Sequence, residues 1–374
     1  MQLMSMIKVA TLAMVTIATA HPGAHEAGSM SHAEKRSFLL NAKRSLGKCA
    51  DRLERRGLTA HIEARRAEQF DFYRRQILET RAYNPSVNES HYSSLHVTEN
   101  TSAEDLFAKN PVCILSPEGE IGPFWVKGEL VRSDIRDSEA GIPLIIDGQF
   151  IDIETCEPIV DLYWDVWSCN STGVYSGVQD SSNGNGDDAS NLDNLALRGI
   201  QKTDTEGVAQ LKSVFPGHYG GRTTHVHVVA HIGAETLPNN TITGGHVAHI
   251  GQLFFDQDLI TEVEATYPYN TNEVEITLNA DDHVVQDETE DSASDPFFEY
   301  ALLGDSLEDG IFAWITLGVN VSATYDTSYA ALLTADGGVA NSQSGSTRTE
   351  QLIRNMWRRS ATATQAAKPF RAAR

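Results

Sequence analysis

Four side chains between residues 175 and 227 have the types and spacing to hold a metal ion. His225 and His227 lie two apart in THVHVVAHI, a valine-rich run that reads as a strand, so both imidazoles point to one face. Tyr219 stands six residues upstream of His225 in PGHYGGR, a Pro/Gly turn able to swing a phenol back over the strand end. Tyr175 stands in a second loop, TGVYSG. Two phenols and two imidazoles form a hard N/O donor set that suits Fe(3+). A cation lowers the pKa of a bound phenol or water, so two phenolates and a hydroxide would balance the three charges of a ferric ion. An HxH pair alone reads more readily as a satisfied structural pair; the two tyrosine loops beside it reverse that in favour of the metal.

The remaining histidines and cysteines carry weaker signals. His246 and His249 would share a second metal only if helical, and Gly244, Gly245 and Gly251 argue for a loop, so with His231 they read as exposed or structural. Cys49, Cys113, Cys156 and Cys169 allow up to two disulfides in three pairings, with Cys156 and Cys169 bracketing VDLYWDVWSC. No close cysteine pair suggests zinc.

The elements that must position the four donors are short strands. Val160, Leu162, Trp164 and Val166 alternate with Asp161, Tyr163 and Asp165, the pattern of a half-buried strand. Ala313, Ile315, Leu317, Val319 and Val321 alternate likewise, with Asn320 on the other face. Phe150–Ile153, Gly207–Val214, Gln252–Phe255 and Val274–Leu278 are further candidates. Regular strands with turn signals and almost no helical pattern between them predict an all-β fold, an antiparallel β-sandwich, over 112–326. Ahead of it, 21–82 is predicted as a helical amino-terminal segment, with Leu39, Leu40, Leu46, Leu53, Phe70, Phe72 and Leu78 at helical spacing and a break near Gly57. Residues 83–111 read as a linker and 327–374 as a flexible low-complexity tail. The acidic stretches 181–188 and 287–295 read as solvated excursions without the ordered ligand spacing of a calcium loop.

Charge is distributed unevenly. The chain of 374 residues has a net charge of −22, yet residues 77–340 carry 9 basic and 43 acidic side chains while 1–76 carry 13 and 7. So acidic a body repels nucleic acid. The basic helices read as a solvated face, or as a surface that docks on the acidic body or on a second subunit. Residues 1–20 have Lys8, an apolar stretch from Val9 to Ile17 and the small-residue end Ala18-Thr19-Ala20, a secretory signal too short to span a membrane. Sequons at Asn88, Asn100, Asn170, Asn239 and Asn320 agree with an extracellular route.

From about Gly122 to Ala323 the chain resembles the intradiol ring-cleavage dioxygenases, and within them the secreted fungal branch. The segments GPFWVKGELVRSDIRD, GIPL, TCEPIVDLYWDVWSCNSTGVYS, LRGIQKTDTEG, PGHYGGRTTHVH and GQLFF carry the resemblance, in that order. It implies that Tyr175, Tyr219, His225 and His227 bind Fe(3+) with a solvent hydroxide. It also implies that Tyr219 leaves the metal as a base when a catechol binds, and that O2 then opens the ring to a cis,cis-muconate. Arg222 matches an arginine beside the substrate ring, Gln252 a glutamine that hydrogen-bonds near the metal, and the helices a dimerising segment of some relatives. Trp167 reads as filling the core under the TGVYS loop. Phe124 and Trp125 stand where many relatives have a tyrosine, and Ser168 where a histidine is common, so the catechol itself is left open. Arg222 is the one evident cation for a substrate carboxylate, which favours a neutral catechol. An extracellular module that binds iron or catecholates without turnover is the alternative, and the intact donors with Arg222 favour the enzyme.

Overall fold

The computed structural model describes residues 32–80, 112–113, 121–184, 188–289 and 295–341. The leader, the linker, Asn88, Asn100 and the residues after 341 lie outside the described residues. Helices α1 (His32–Arg55) and α2 (Leu58–Thr80) are separated at Gly57, whose φ of 69° only glycine adopts freely. Neither these nor any other described helix is long and apolar enough to cross a membrane.

Two sheets face each other. The first combines β1 (Val112–Cys113), β3 (Pro143–Asp152), β6 (Val208–Val214), β9 (Glu299–Leu302) and β10 (Ile311–Val319). The second runs β5 (Arg198–Lys202), β4 (Tyr163–Trp167), β7 (His225–Thr236), β8 (Ile242–Phe254), every pair antiparallel. Between them lie Leu144, Ile146 and Phe150 of β3, Trp164 and Val166 of β4, Val226 and Val228 of β7, and Ala313, Ile315 and Leu317 of β10. Each such aliphatic or aromatic side chain contributes roughly 1.5–3 kcal/mol by burial.

The sheets depart from the predicted all-antiparallel sandwich. Strand β10 runs parallel to both β3 and β1, because long connections bring these distant segments into one sheet. A third sheet joins β2 (Val126–Lys127) to β11 (Ala331–Thr334) in parallel and β11 to β12 (Gly337–Ala340) in a hairpin. Residues 331–340 therefore belong to the fold and not to a flexible tail. The Gly338 amide donates to Asp193 (2.9 Å), and Ala331 is buried against the aromatic cluster of the second sheet.

Strand limits and exposures also correct the sequence reading. Val160 is 47% exposed and Asp161 has a φ of 63°, so the strand begins at Tyr163 and all five of its residues are buried. Strand β10 is likewise buried on both faces, because Phe70 of α2 packs on Phe312 and Trp314. Leu40 and Phe72 face solvent, each 43% exposed. Val274, Ile276 and Leu278 form no strand and are 44%, 42% and 46% exposed. The glycine- and histidine-rich stretch 242–251 is a strand of the β7–β8 hairpin and not a loop; Gly244 and Gly245 take up the bend with φ near 70°.

The basic helices dock on their own chain's acidic body. Arg65 makes two bonds to Asp147 of β3 (2.7 and 2.9 Å), and Arg66, fully buried, adds a third (3.1 Å). Arg56 pairs with Glu157 and His61 with Glu206. A disulfide between Cys49 and Cys156 ties α1 to the end of β3, which leaves Cys169 a buried free thiol and removes the Cys156–Cys169 bridge from consideration.

Candidate metal centre

Strand β7 alternates cleanly. Val226, Val228 and Ala230 enter the sandwich, while His225, His227 and Val229 face the outer layer, where the tyrosine loops lie. Nδ1 of His225 donates to the Thr223 carbonyl (2.6 Å), which leaves its Nε2 unprotonated and aimed outward. The His227 ring is held between two walls. Trp167, its cross-strand partner on β4, stacks on it with centroids 4.9 Å apart and planes 3° apart. On another side Gly122 approaches so closely that a Cβ there would lie 2.8 Å from His227 Cε1.

Both tyrosine loops are set by backbone contacts that need small residues. A Cβ on Gly173 would collide with the His218 carbonyl, and one on Gly217 with the Ser171 carbonyl, so the two loops touch main chain to main chain. Tyr175 is fully buried and its backbone is clamped. Its amide donates to Asn183 Oδ1 (2.8 Å), and its carbonyl accepts from Asn183 Nδ2 and Asn191 Nδ2 (both 2.8 Å). Asn183 is thus buried in the site, whereas Ser181, Ser182, Gly184 and Asp188 are exposed, as a solvated excursion predicts. Phe124 packs on the Tyr175 ring at 5.1 Å, and the Arg198 guanidinium lies 5.9 Å from it.

The four donors converge. Tyr175 Oη lies 3.0 Å from His227 Nε2 and 3.3 Å from His225 Nε2; Tyr219 Oη lies 3.0 Å from His225 Nε2; the two Nε2 atoms are 3.1 Å apart. An unprotonated imidazole nitrogen has one lone pair, so His225 Nε2 cannot satisfy three such neighbours by hydrogen bonding. A single cation among the four atoms would. Metal–imidazole bonds of about 2.0–2.1 Å put neighbouring donors about 3 Å apart, which is the spacing found. Without a cation, burial holds the Tyr175 phenol well above its usual range, with Tyr219 adding to the effect. Burial also raises Tyr219, partly offset by the positive charge of Arg222. A metal ion reverses that balance. Among the described residues no group of three His, Cys, Asp or Glu side chains is placed to hold a metal, so a metal held here would need the tyrosines.

Arg222 and Gln252 meet beside the donors. The Arg222 guanidinium is buried, with Nε donating to Asp282 Oδ2 (2.8 Å) and Nη2 to Gln252 Oε1; Gln252 stands opposite His227 across the β7–β8 pairing. Sequence reading missed Asp282, Asn183 and Asn191. Each is an ordinary loop residue that acts across the fold, and only the helix-capping pattern of Asp282 ahead of 283–289 was there to be noticed.

His231, His246 and His249 are separate from this centre. His246 Nε2 donates to the Val321 carbonyl (3.0 Å). His231 and His249 are buried rather than exposed, and burial lowers both to about 4, so they are neutral near pH 7. His231 Nε2 faces Asp165 Oδ2 (3.4 Å), which also accepts from Trp125 Nε1 (2.9 Å).

Residues 125–301 match the family described as Dioxygenase. No curated protein matches the chain. Similar solved structures include an intradiol ring-cleavage dioxygenase from Tetranychus urticae, 27% identical, covering 58% of this chain and 98% of that one with a TM-score of 0.47. The dioxygenase domain of a dioxygenase–carbohydrate-binding fusion from Streptomyces sp. SirexAA-E is 21% identical (54% and 96% covered, TM-score 0.33). Catechol 1,2-dioxygenase from Pseudomonas arvilla C-1 is 17% identical (55% and 62% covered, TM-score 0.34). Over residues 125–301, the segment that contains Tyr175, Tyr219, His225 and His227 together with Arg222 and Gln252, the chain is similar to the dioxygenase family.

Proposed function

We propose that the chain is a secreted ferric intradiol dioxygenase that opens a neutral catechol with O2 to a cis,cis-muconate-type dicarboxylate, both oxygen atoms ending in the product. The convergence of Tyr175, Tyr219, His225 and His227, each with its donor atom 3.0–3.3 Å from at least one other, carries this reading. Held by those four side chains, Fe(3+) supplies Lewis acidity to the phenols and to both catechol hydroxyls.

The chain's own groups do the rest. Tyr219, 8% exposed while Tyr175 is fully enclosed, is the donor able to swing away and take a catechol proton on Oη. Asn183 and Asn191 keep Tyr175 in place meanwhile. Arg222 stabilises negative charge spread into the ring, and Gln252 fixes its Nη2. Phe124 and Trp167 keep water from the buried side. With Nε on Asp282 and Nη2 on Gln252 the Arg222 guanidinium is committed to its place beside the donors and is not free to clamp a substrate carboxylate, which supports a neutral catechol. The leader-like residues 1–20 and the Cys49–Cys156 disulfide support an extracellular location.

The test is the visible spectrum of the iron-loaded protein, taken anaerobically with catechol and then in air. A tyrosinate-to-iron band that shifts with catechol and decays as muconate forms is the expected result. A band that shifts but persists in air would mean binding without cleavage, and a colourless reconstituted protein would remove the iron reading.

A further inference from the structure

Asp282 lies sixty residues beyond Arg222, yet its fully buried carboxylate is the hub of the Arg222 side of the centre. Its Oδ2 accepts from Arg222 Nε and from the Thr223 backbone amide, both at 2.8 Å. Its Oδ1 accepts from the amides of Val284 and Val285 (2.8 and 3.1 Å), which caps helix α3 (His283–Thr289). Thr223 is held at both polar ends, because its carbonyl accepts from His225 Nδ1 and its hydroxyl donates to Asn279 Oδ1 (2.6 Å). One carboxylate oxygen therefore joins Arg222 to the main chain that leads into His225.

A helix cap alone does not account for this arrangement. The cap occupies Oδ1, and an uncharged side chain can fill it. Oδ2 is spent on a buried guanidinium, and burial of an unpaired charge is costly, so the charge of Asp282 has its use at Arg222. Nε on Asp282 and Nη2 on Gln252 together fix the direction of the planar guanidinium.

We propose that Asp282 is a positioning residue of the ring-cleavage site, acting through Arg222 by fixing its guanidinium on Oδ2 while the same oxygen holds the Thr223 amide. This rests on the reading of the centre as a ferric catechol dioxygenase. Asp282 does not touch substrate; it sets where the positive charge stands when the ring becomes anionic.

The experiment compares the iron-loaded full chain with D282N, R222Q and R222Q/D282N, using catechol. Asparagine caps a helix as well as aspartate, so D282N keeps α3 in place. D282N should keep its iron, the substrate-free band and the anaerobic shift with catechol, while kcat falls about 100-fold and KM moves less than about threefold. The double variant should match R222Q, because Asp282 has nothing to position once the guanidinium is gone. A D282N kcat within about threefold of wild type, or losses that multiply in the double variant, would overturn the proposal. Should D282N fail to fold, R222Q and R222Q/D282N still answer, since the double variant buries no unpaired charge: equal kcat supports the proposal and a further loss overturns it. A wild-type protein that binds ferric iron without colour or turnover removes the functional reading and the role of Asp282 together, which no pattern among the variants can imitate.

Discussion

The indole of Trp167 lies flat on the imidazole of His227, the planes 3° apart and the centroids 4.9 Å apart. The two residues face each other across the β4–β7 pairing, so the sheet itself sets the stack. Trp167→Ala would leave a large cavity under the ring and cost about 3–5 kcal/mol. Loss of the support should also weaken metal retention about 10- to 100-fold. Trp167→Phe keeps an aromatic wall and should lose only part of each. Thermal melting of the metal-free protein, with ferric release to a chelator, separates the two effects; unchanged release in Trp167→Ala would show that the stack does not orient His227.

Asn183 holds both polar groups of the Tyr175 main chain. Asn183→Ala leaves the buried Tyr175 amide without that acceptor, at a cost of about 1–3 kcal/mol. Asn191 still reaches the Tyr175 carbonyl, so the loop should loosen and not collapse. The expected signature is a lower melting temperature with a broadened and weakened tyrosinate-to-iron band. A variant that melts lower but keeps the wild-type band would assign Asn183 to stability alone.

The donor set was legible because strand periodicity puts His225 and His227 on one face whatever the rest of the chain does, and glycines flank both tyrosines. Helices α1 and α2, with their break at Gly57, were legible from spacing for the same local reason. What escaped depends on distant partners. Strands β4 and β10 alternate in sequence yet are buried on both faces, because loops and α2 cover the faces that the pattern assigns to solvent. Val274–Leu278 alternates without a strand to pair with. Asn183 and Asp282 are polar loop residues whose work is a hydrogen bond to another loop, and no periodicity marks such a bond.

Asp147 anchors the amino-terminal helices. Burial alone would raise its carboxyl, but Arg65 and Arg66 outweigh that and hold it below the usual range. The folded pKa thus lies below the unfolded value of about 3.9, so its stabilisation is complete above about pH 4 and is lost as pH falls through the folded value. Asp147→Asn should cost about 3–5 kcal/mol at pH 7, because Arg66 is left buried without its carboxylate. Urea unfolding at pH 7, with proteolysis to detect release of 32–80, measures it. Since Cys49–Cys156 still tethers α1, release should need a reductant as well; wild-type resistance of the reduced variant would show that the apolar contacts of Phe70 suffice.

Asp165 predicts the opposite slope. Buried beneath the outer layer of the second sheet, it is pushed up to about 6 by desolvation, against the opposing bonds from Glu129 and Trp125. Glu129, also buried, is raised by its own desolvation and by the charge of Asp165, while Arg198 draws it down. The folded state therefore keeps a proton that the unfolded chain gives up near pH 3.9. Stability from this group is greatest below about pH 4, falls as pH rises towards 6 and is flat beyond. D165N removes the titration, still accepts from the Trp125 indole and can donate to Glu129. Relative to wild type, D165N should gain on the order of 2 kcal/mol in unfolding free energy between pH 4.5 and pH 8. Paired urea titrations at the two pH values decide it, and an equal difference at both would mean that Asp165 stays ionised and that its partners already compensate its burial.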